Sequence, residues 1–340
     1  MNIAVKVYGS GVSRVRFDSS LPTNKQSNMS GVILHNLSNG EYHHGYQYSK
    51  YISSTQLKYL LISPAYFKYQ RSLYQYSTEA MIEGSVFHSF MECYAKDGNF
   101  DKVCENVLAF TTPINPRTGQ EYGPNTKAVQ EALQDFKDLN PNKFIIPQQM
   151  YNNVRAMVES IMTSERHGEV IKKLLKWGTP EVSMFLEEDE YPAMKIRCDL
   201  LTKNKIIDWK TTSSDKLDEE TINKIIYQYG YDISAAMYQY VAHEVLGKWM
   251  DYYLVFISKN PPYDCVIVDM VNYGYRYNPA NGEVLYGGGV IRFEKLMNLY
   301  SECLMNQEWP GADYKIEPKD GVRILEIEPP AYYISKVSNM

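Results

Sequence analysis

Residues 194–212, MKIRCDLLTKNKIIDWKTT, hold two aspartates and a lysine whose spacing could do chemistry. Read as a hairpin turning at Lys203-Asn204, with Thr202 opposite Lys205, the segment sets Leu200 against Ile207 and Cys198 against Trp209. With Ile196 these make one apolar face. Arg197, Asp199, Asp208 and Lys210 fall on the other, because side chains alternate along a strand and a slip of one residue would mix the two sets. Asp199 then faces Asp208. Carboxylates so placed have Cβ atoms about 4.5–5.5 Å apart and destabilise the pair. A hard divalent cation offsets the repulsion, since Mg2+ is commonly held by one or two carboxylates, water and substrate phosphate. Lys210, two residues beyond Asp208 on the same face, is placed to contact whatever the metal holds. Such a set is equipment for metal-assisted phosphodiester hydrolysis, with carboxylates holding metal and lysine orienting the nucleophile or steadying the phosphorane. On these residues alone the other reading is a solvated hairpin face with Lys210 answering the aspartates. The same spacing recurs at Asp135-Phe136-Lys137, which looks helical, and as E-x-K at Glu317-Pro318-Lys319, where proline rules out a strand face.

The elements that must position these residues follow from the pattern. Ser53-Ser54-Thr55 is an N-cap cluster ahead of an apolar-periodic run, and Ser63-Pro64 ends one helix and starts the next. Helices are expected over 78–95, 127–138 and 147–177, the last interrupted near Gly168. After Gly178 the texture changes to three short strands, EVSMFLEE, MKIRCDLLT and KIIDWKTT. A long helix with Gly230 as a weak point, two strands (DYYLVFIS and CVIVDMV) and a C-terminal helix complete the order. That order is an α/β (α+β) core with an N-terminal helical portion. Residues 1–48, rich in Ser, Asn and Gly, read as a loosely ordered arm or small hairpin. Residues 49–335 read as a single domain, helical over 49–178 and sheet-bearing over 179–335.

Composition bounds the function. The 340 residues carry a net charge of −5 and five widely spaced cysteines. The cysteine pattern argues against a disulfide framework, a zinc ribbon or a four-cysteine iron–sulphur site, and fits a reducing cytoplasm. No run reaches the roughly 18 apolar residues of a membrane helix, and the first residues lack a secretory pattern. A protein that coats nucleic acid non-specifically is usually basic, so the acidic total argues against one, though not against a DNA enzyme whose phosphate contacts are confined to one groove. Lys172, Lys173 and Lys176 form a basic helix patch, and His43-His44 lies in the arm.

Asp199 and Ile207-Asp208-Trp209-Lys210 resemble the core motif of the PD-(D/E)XK nuclease superfamily. Gly84-Ser85-Val86-Phe87-His88 resembles the G-x-x-x-H helix of its RecB-type branch. Ser63-Pro64-Ala65-Tyr66-Phe67-Lys68-Tyr69 resembles the leading helix pair of RecE (exonuclease VIII) relatives. Glu181 to Phe185, Tyr229-Gly230-Tyr231, Ala235 to Tyr238 and Pro261-Pro262-Tyr263 resemble further stretches in family order, so the likeness spans about 50–335. The resemblance implies a restriction-endonuclease-like core, a central mixed sheet flanked by helices. It implies metal held by His88, Asp199, Asp208 and the Trp209 carbonyl, with Lys210 catalytic and Glu181 joining through water. Tyr238 fits the family's helix tyrosine; Ser234 stands where relatives often carry Gln, and its hydroxyl reaches less far. The implied activity is Mg2+-dependent digestion of linear double-stranded DNA from the 5′ end, leaving a 3′ single strand for recombination, with Mn2+ able to substitute. The implied partners are DNA ends, a RecT-like annealing protein, and copies of the chain in a trimeric or tetrameric ring. The setting implied is the cytoplasm of a bacterial or phage-infected cell. The alternatives are a RecB-type nuclease of other polarity, an endonuclease, and a silent DNA-end-binding protein.

Overall fold

The computed structural model describes residues 5–8, 12–15, 30–72, 78–100, 102–316 and 328–330. Its centre is a six-stranded sheet: β1 (Ser30–Leu34), β2 (Thr179–Glu187), β3 (Met194–Leu201), β4 (Lys205–Thr212), β5 (Asp251–Ser258) and β6 (Cys265–Asp269). They lie side by side in that order. All neighbours are antiparallel except β4 and β5, which run parallel with Asp208 beside Leu254 and Lys210 beside Phe256. A parallel pair needs a crossover. Here it is the helix Glu219–Tyr229 followed by a second helix over 231–246, with Gly230 at φ +62° between them.

Helices cover both faces. One face carries α1 (Glu79–Asp97), α2 (Gln148–Thr163) and α3 (Gly168–Trp177). Val86, Phe87, Val154, Ile161 and Ile171 from these helices pack with Leu200, Ile207, Trp209 and Val255 of the sheet. The other face carries α4 (Tyr231–Leu246) and α5 (Gly288–Asn306) with the leading helices Ser54–Lys58 and Pro64–Ser72. Their side chains pack with Met184, Ile196, Cys198, Ile206, Leu254 and Phe256. The sheet is therefore buried on both sides, as parallel pairing demands. No described helix is long and apolar enough to cross a membrane.

Two expectations change. Residues 30–48, assigned to a loosely ordered arm, belong to the fold. Here β1 extends the sheet with Leu34 beside Ser183, and Tyr42 and Tyr48 close around Phe185. Residues 5–8 and 12–15 form the small hairpin; the rest of 1–29 and the stretches 317–327 and 331–340 lie outside the described residues. The second change concerns the faces of β3. Leu200, Ile207 and Trp209 share one core, but Ile196 and Cys198 sit in the core on the opposite face. The alternation breaks at Asp199. The β2–β3 ladder pairs Pro180 with Leu200 and Val182 with Cys198 but skips Glu181 and Asp199, and Glu181 has φ +54°. A left-handed conformation reverses the local twist at a cost of about 1–2 kcal/mol for a residue with a Cβ.

Candidate active site

The β3–β4 hairpin has the expected register, Leu200 beside Ile207, and then stops pairing. The backbone N–H of Trp209, which would continue the ladder, donates instead to Asp199 Oδ2 at 2.8 Å. The two strands thus part where both aspartates stand. Into this gap α1 brings His88. Thr78 caps that helix by accepting from Met81 N–H, and the buried Phe87 and Met91 fix its rotation. His88 Nδ1 lies 3.4 Å from Asp199 Oδ1, and Nε2 lies 3.1 Å from the Trp209 carbonyl oxygen.

Glu181 enters from β2, aimed by its left-handed backbone. Each of His88, Glu181 and Asp199 offers one ligand atom, and these atoms all lie within 4.8 Å of one another. An imidazole and two carboxylates in so small a space fit a divalent cation. Asp208, expected as a ligand, lies beside the cluster with its carboxyl against that of Asp199; the Lys210 ammonium sits on Oδ1, and the Tyr252 hydroxyl donates to Oδ2 at 2.6 Å. Glu181 is the second carboxylate of that cluster. The Trp209 carbonyl oxygen, also expected as a ligand, lies against the His88 ring.

Burial and charge set the protonation states. Burial would lower His88, but Asp199 outweighs it and holds the ring up to about 8. Burial would raise Asp199, but His88 and then Lys210 hold it below the usual carboxylate range. Burial pushes Asp208 up to about 6, with Lys210 opposing and Asp199 adding. Burial also pushes Glu181 up to about 7, helped by Asp199 and Glu92. Burial works against the Lys210 ammonium, yet Asp208 and Asp199 keep it protonated. Two carboxylates driven apart in this way, beside a fixed ammonium, mark a site with a division of labour.

Residues 53–318 match a family described as a PDDEXK-like domain of unknown function. The chain belongs to this family. No curated protein matches it. Among solved structures it is similar to the crystal structure of a "Putative exonuclease" from Eubacterium rectale, with 13% identity, a TM-score of 0.49, and coverage of 89% of this chain and 99% of that one.

Within this PD-(D/E)XK-like domain the remaining expected residues are accounted for. Tyr238 lies on α4 with its ring edge-on to Tyr252, 5.7 Å between centroids. Ser234 faces Lys58, 3.2 Å away, rather than the carboxylates. Arg197 was expected on the polar face with the aspartates. It is buried on the far side of the break, where its guanidinium donates to Ser183 Oγ (2.9 Å) and the Leu37 carbonyl (2.7 Å), packs on Tyr42, and reaches Glu181 Oε2 at 3.5 Å. His43 and His44 are exposed at the end of a short helix, and Lys172 pairs with Glu169. Tyr252, Arg197 as the holder of Glu181, and Lys58 were missed. Tyr252 had a signal: it alternates with Leu254 and Phe256 in DYYLVFIS, the face that parallel pairing gives to Asp208 and Lys210.

Proposed function

We propose that the chain is a Mg2+-dependent exodeoxyribonuclease that digests linear double-stranded DNA from the 5′ end and leaves 3′ single strands for recombination. The observation that carries the reading is the convergence of His88, Glu181 and Asp199 in the gap beside the Asp208–Lys210 pair. When bound there, a divalent cation supplies Lewis-acid stabilisation of the charge that develops on the phosphoryl group. The chain's own residues do the rest. Asp199, held ionised, keeps a full negative charge facing the cation position. His88 binds through one ring nitrogen once it gives up the proton shared with Asp199 or the Trp209 carbonyl. Lys210, fixed by Asp208, presents N–H donors to the attacking water or a phosphate oxygen. Tyr252 holds Asp208 from the other side, so the lysine is aimed before DNA arrives. Mn2+ takes the same ligand set. Trp209, Ile207 and the α1 side chains exclude water from beneath the site.

An acidic chain holds duplex DNA through few phosphate contacts per copy, so a closed trimeric or tetrameric ring around the DNA supplies grip by topology. A single-strand annealing protein of RecT type, in the cytoplasm of a bacterial or phage-infected cell, receives the product. The test uses linear duplex labelled at either end and covalently closed circles, with Mg2+ or EDTA, alongside light scattering. Loss of the 5′ label first, on linear DNA only, by a trimer or tetramer supports the reading. Loss of the 3′ label first favours the opposite polarity, cut circles favour an endonuclease, and binding to ends without cleavage favours the silent form.

A further inference from the structure

Lys58 closes the short helix Ser54–Lys58, on the same face of the sheet as α4. Its Nζ donates to Ser234 Oγ at 3.2 Å, and Ser234 Oγ donates to Ser54 Oγ at 3.3 Å; both serines are buried. The ammonium also lies 5.5 Å from the centroid of the Tyr231 ring, and Lys210 Nζ lies 5.2 Å from the same centroid. Two ammonium groups therefore attend one ring at the edge of the site. Gly230 makes room for the Lys58 stem, because a Cβ there would come within 2.7 Å of Lys58 Cδ.

Lys210 has Asp208; Lys58 has no carboxylate partner among the described residues. The charges that act on it are Lys210, Asp208, Asp232 and Arg292. Both of those carboxylates are already engaged: Asp208 by Lys210 and Tyr252, and Asp232 by Arg292 Nη1, 2.8 Å from each oxygen. Burial, reinforced by Lys210, lowers the Lys58 ammonium to about 8, so the free protein keeps this charge at a cost. A partly buried ammonium without a carboxylate partner of its own and two hydroxyls that can turn to donate form a seat for an anion. Beside it Tyr229 stacks on Tyr231 (5.7 Å, 23°) and is 54% exposed, a surface of the kind on which bases stack.

We propose that Lys58, with the Ser234 and Ser54 hydroxyls, seats a backbone phosphate of the nucleic-acid strand next to the group that Lys210 faces. This rests on the nuclease reading above. The test is anisotropy of a short fluorescent DNA duplex with the full-length protein, in Ca2+ to hold back cleavage, over a series of salt concentrations. Lys58→Gln should weaken binding by about tenfold or more. It should also flatten the slope of log affinity against log salt by about 0.9, the share of one phosphate. Lys127→Gln, at an exposed lysine elsewhere, should change neither. Lys58→Met should melt at or above the wild-type temperature without DNA, because an uncompensated ammonium has been removed. Wild-type protein that fails to bind DNA overturns the nuclease reading and the seat together. Wild-type protein that binds, with Lys58→Gln equal to it in affinity and slope, overturns the seat alone. Lys58→Gln and Lys58→Met both melting well below wild type would make the lysine structural and overturn it as well.

Discussion

Asp208→Asn sets two effects of opposite sign against each other. It removes a carboxylate that repels Asp199, and it deprives Lys210 of its partner. Facing carboxylates on a sheet cost up to about 1 kcal/mol. Here much of that is already offset, because Asp199 accepts from Trp209 N–H and lies against His88 while Asp208 accepts from Tyr252. The Lys210–Asp208 side chains are 21% and 9% exposed. Removing one member of a fully buried pair costs about 3–5 kcal/mol, and of an exposed pair about 0–1 kcal/mol. With the lysine one-fifth exposed and Asp199 left as an alternative partner, about 2 kcal/mol is the reasonable value. The loss outweighs the relief, and the variant should melt roughly 2–4 °C below wild type in EDTA. The hairpin taken alone gives the opposite sign. Cleavage should fall by at least ~10²-fold, since Lys210 is no longer aimed. Calorimetry in EDTA and a DNA-release assay read the two effects separately. A melting temperature at or above wild type would refute the account of how Lys210 is held, and near-wild-type cleavage would refute the part given to Asp208.

Lys210→Ala should bind DNA yet cleave at least ~10²-fold more slowly, and Lys210→Arg should not restore the rate, because a planar guanidinium cannot replace a compact ammonium at one oxygen; binding lost in step with turnover would make the lysine a phosphate anchor only. Arg197→Met removes the bonds to Ser183 and Leu37 and the contact with Tyr42, so it should cost about 3 kcal/mol in a denaturant titration. It should also raise the Mg2+ needed for half-maximal cleavage by freeing Glu181, and an unchanged Mg2+ requirement would separate Glu181 from the metal centre. Glu188, far along β2–β3, is pushed up to about 7 by burial although the Tyr240 hydroxyl donates to it. A raised folded value means the contribution to stability is full below the ordinary carboxylate value and is lost as pH rises through about 7. Glu188→Gln should therefore match wild type in thermal melts near pH 5 and exceed it at pH 8; a deficit at pH 8 would show that Tyr240 holds the charged form.

The strands and helices that carry the site were readable because their periods are local. Asp199, Asp208 and Lys210 announce themselves by alternation within one hairpin, and His88 by its place on a helix whose apolar side is plain. The break at Asp199 was not readable. It depends on Glu181 adopting a left-handed backbone on the neighbouring strand, and no spacing rule assigns φ +54° to a glutamate. That one residue displaced Ile196, Cys198 and Arg197 from their expected faces. Ser30–Leu34 was missed because its strand character comes from pairing with residues 183–187, some 150 positions later in the chain. Tyr252 and Lys58 needed the third dimension too. The first reaches Asp208 only through the β4–β5 register, and the second reaches Ser234 only because Gly230 lets its stem pass.

The central claim is that His88, Glu181 and Asp199, with the Asp208–Lys210 pair, form a metal-dependent phosphodiesterase centre. Release of nucleotides from linear duplex DNA by the purified protein, with Mg2+ titrated against EDTA, measures it most directly. Wild type should release nucleotides only when Mg2+ is present, and folded His88→Ala or Asp199→Ala should release none at any Mg2+ concentration. Release that persists in EDTA, release that survives Asp199→Ala, or a wild-type protein that cleaves no DNA at any Mg2+ concentration would contradict it.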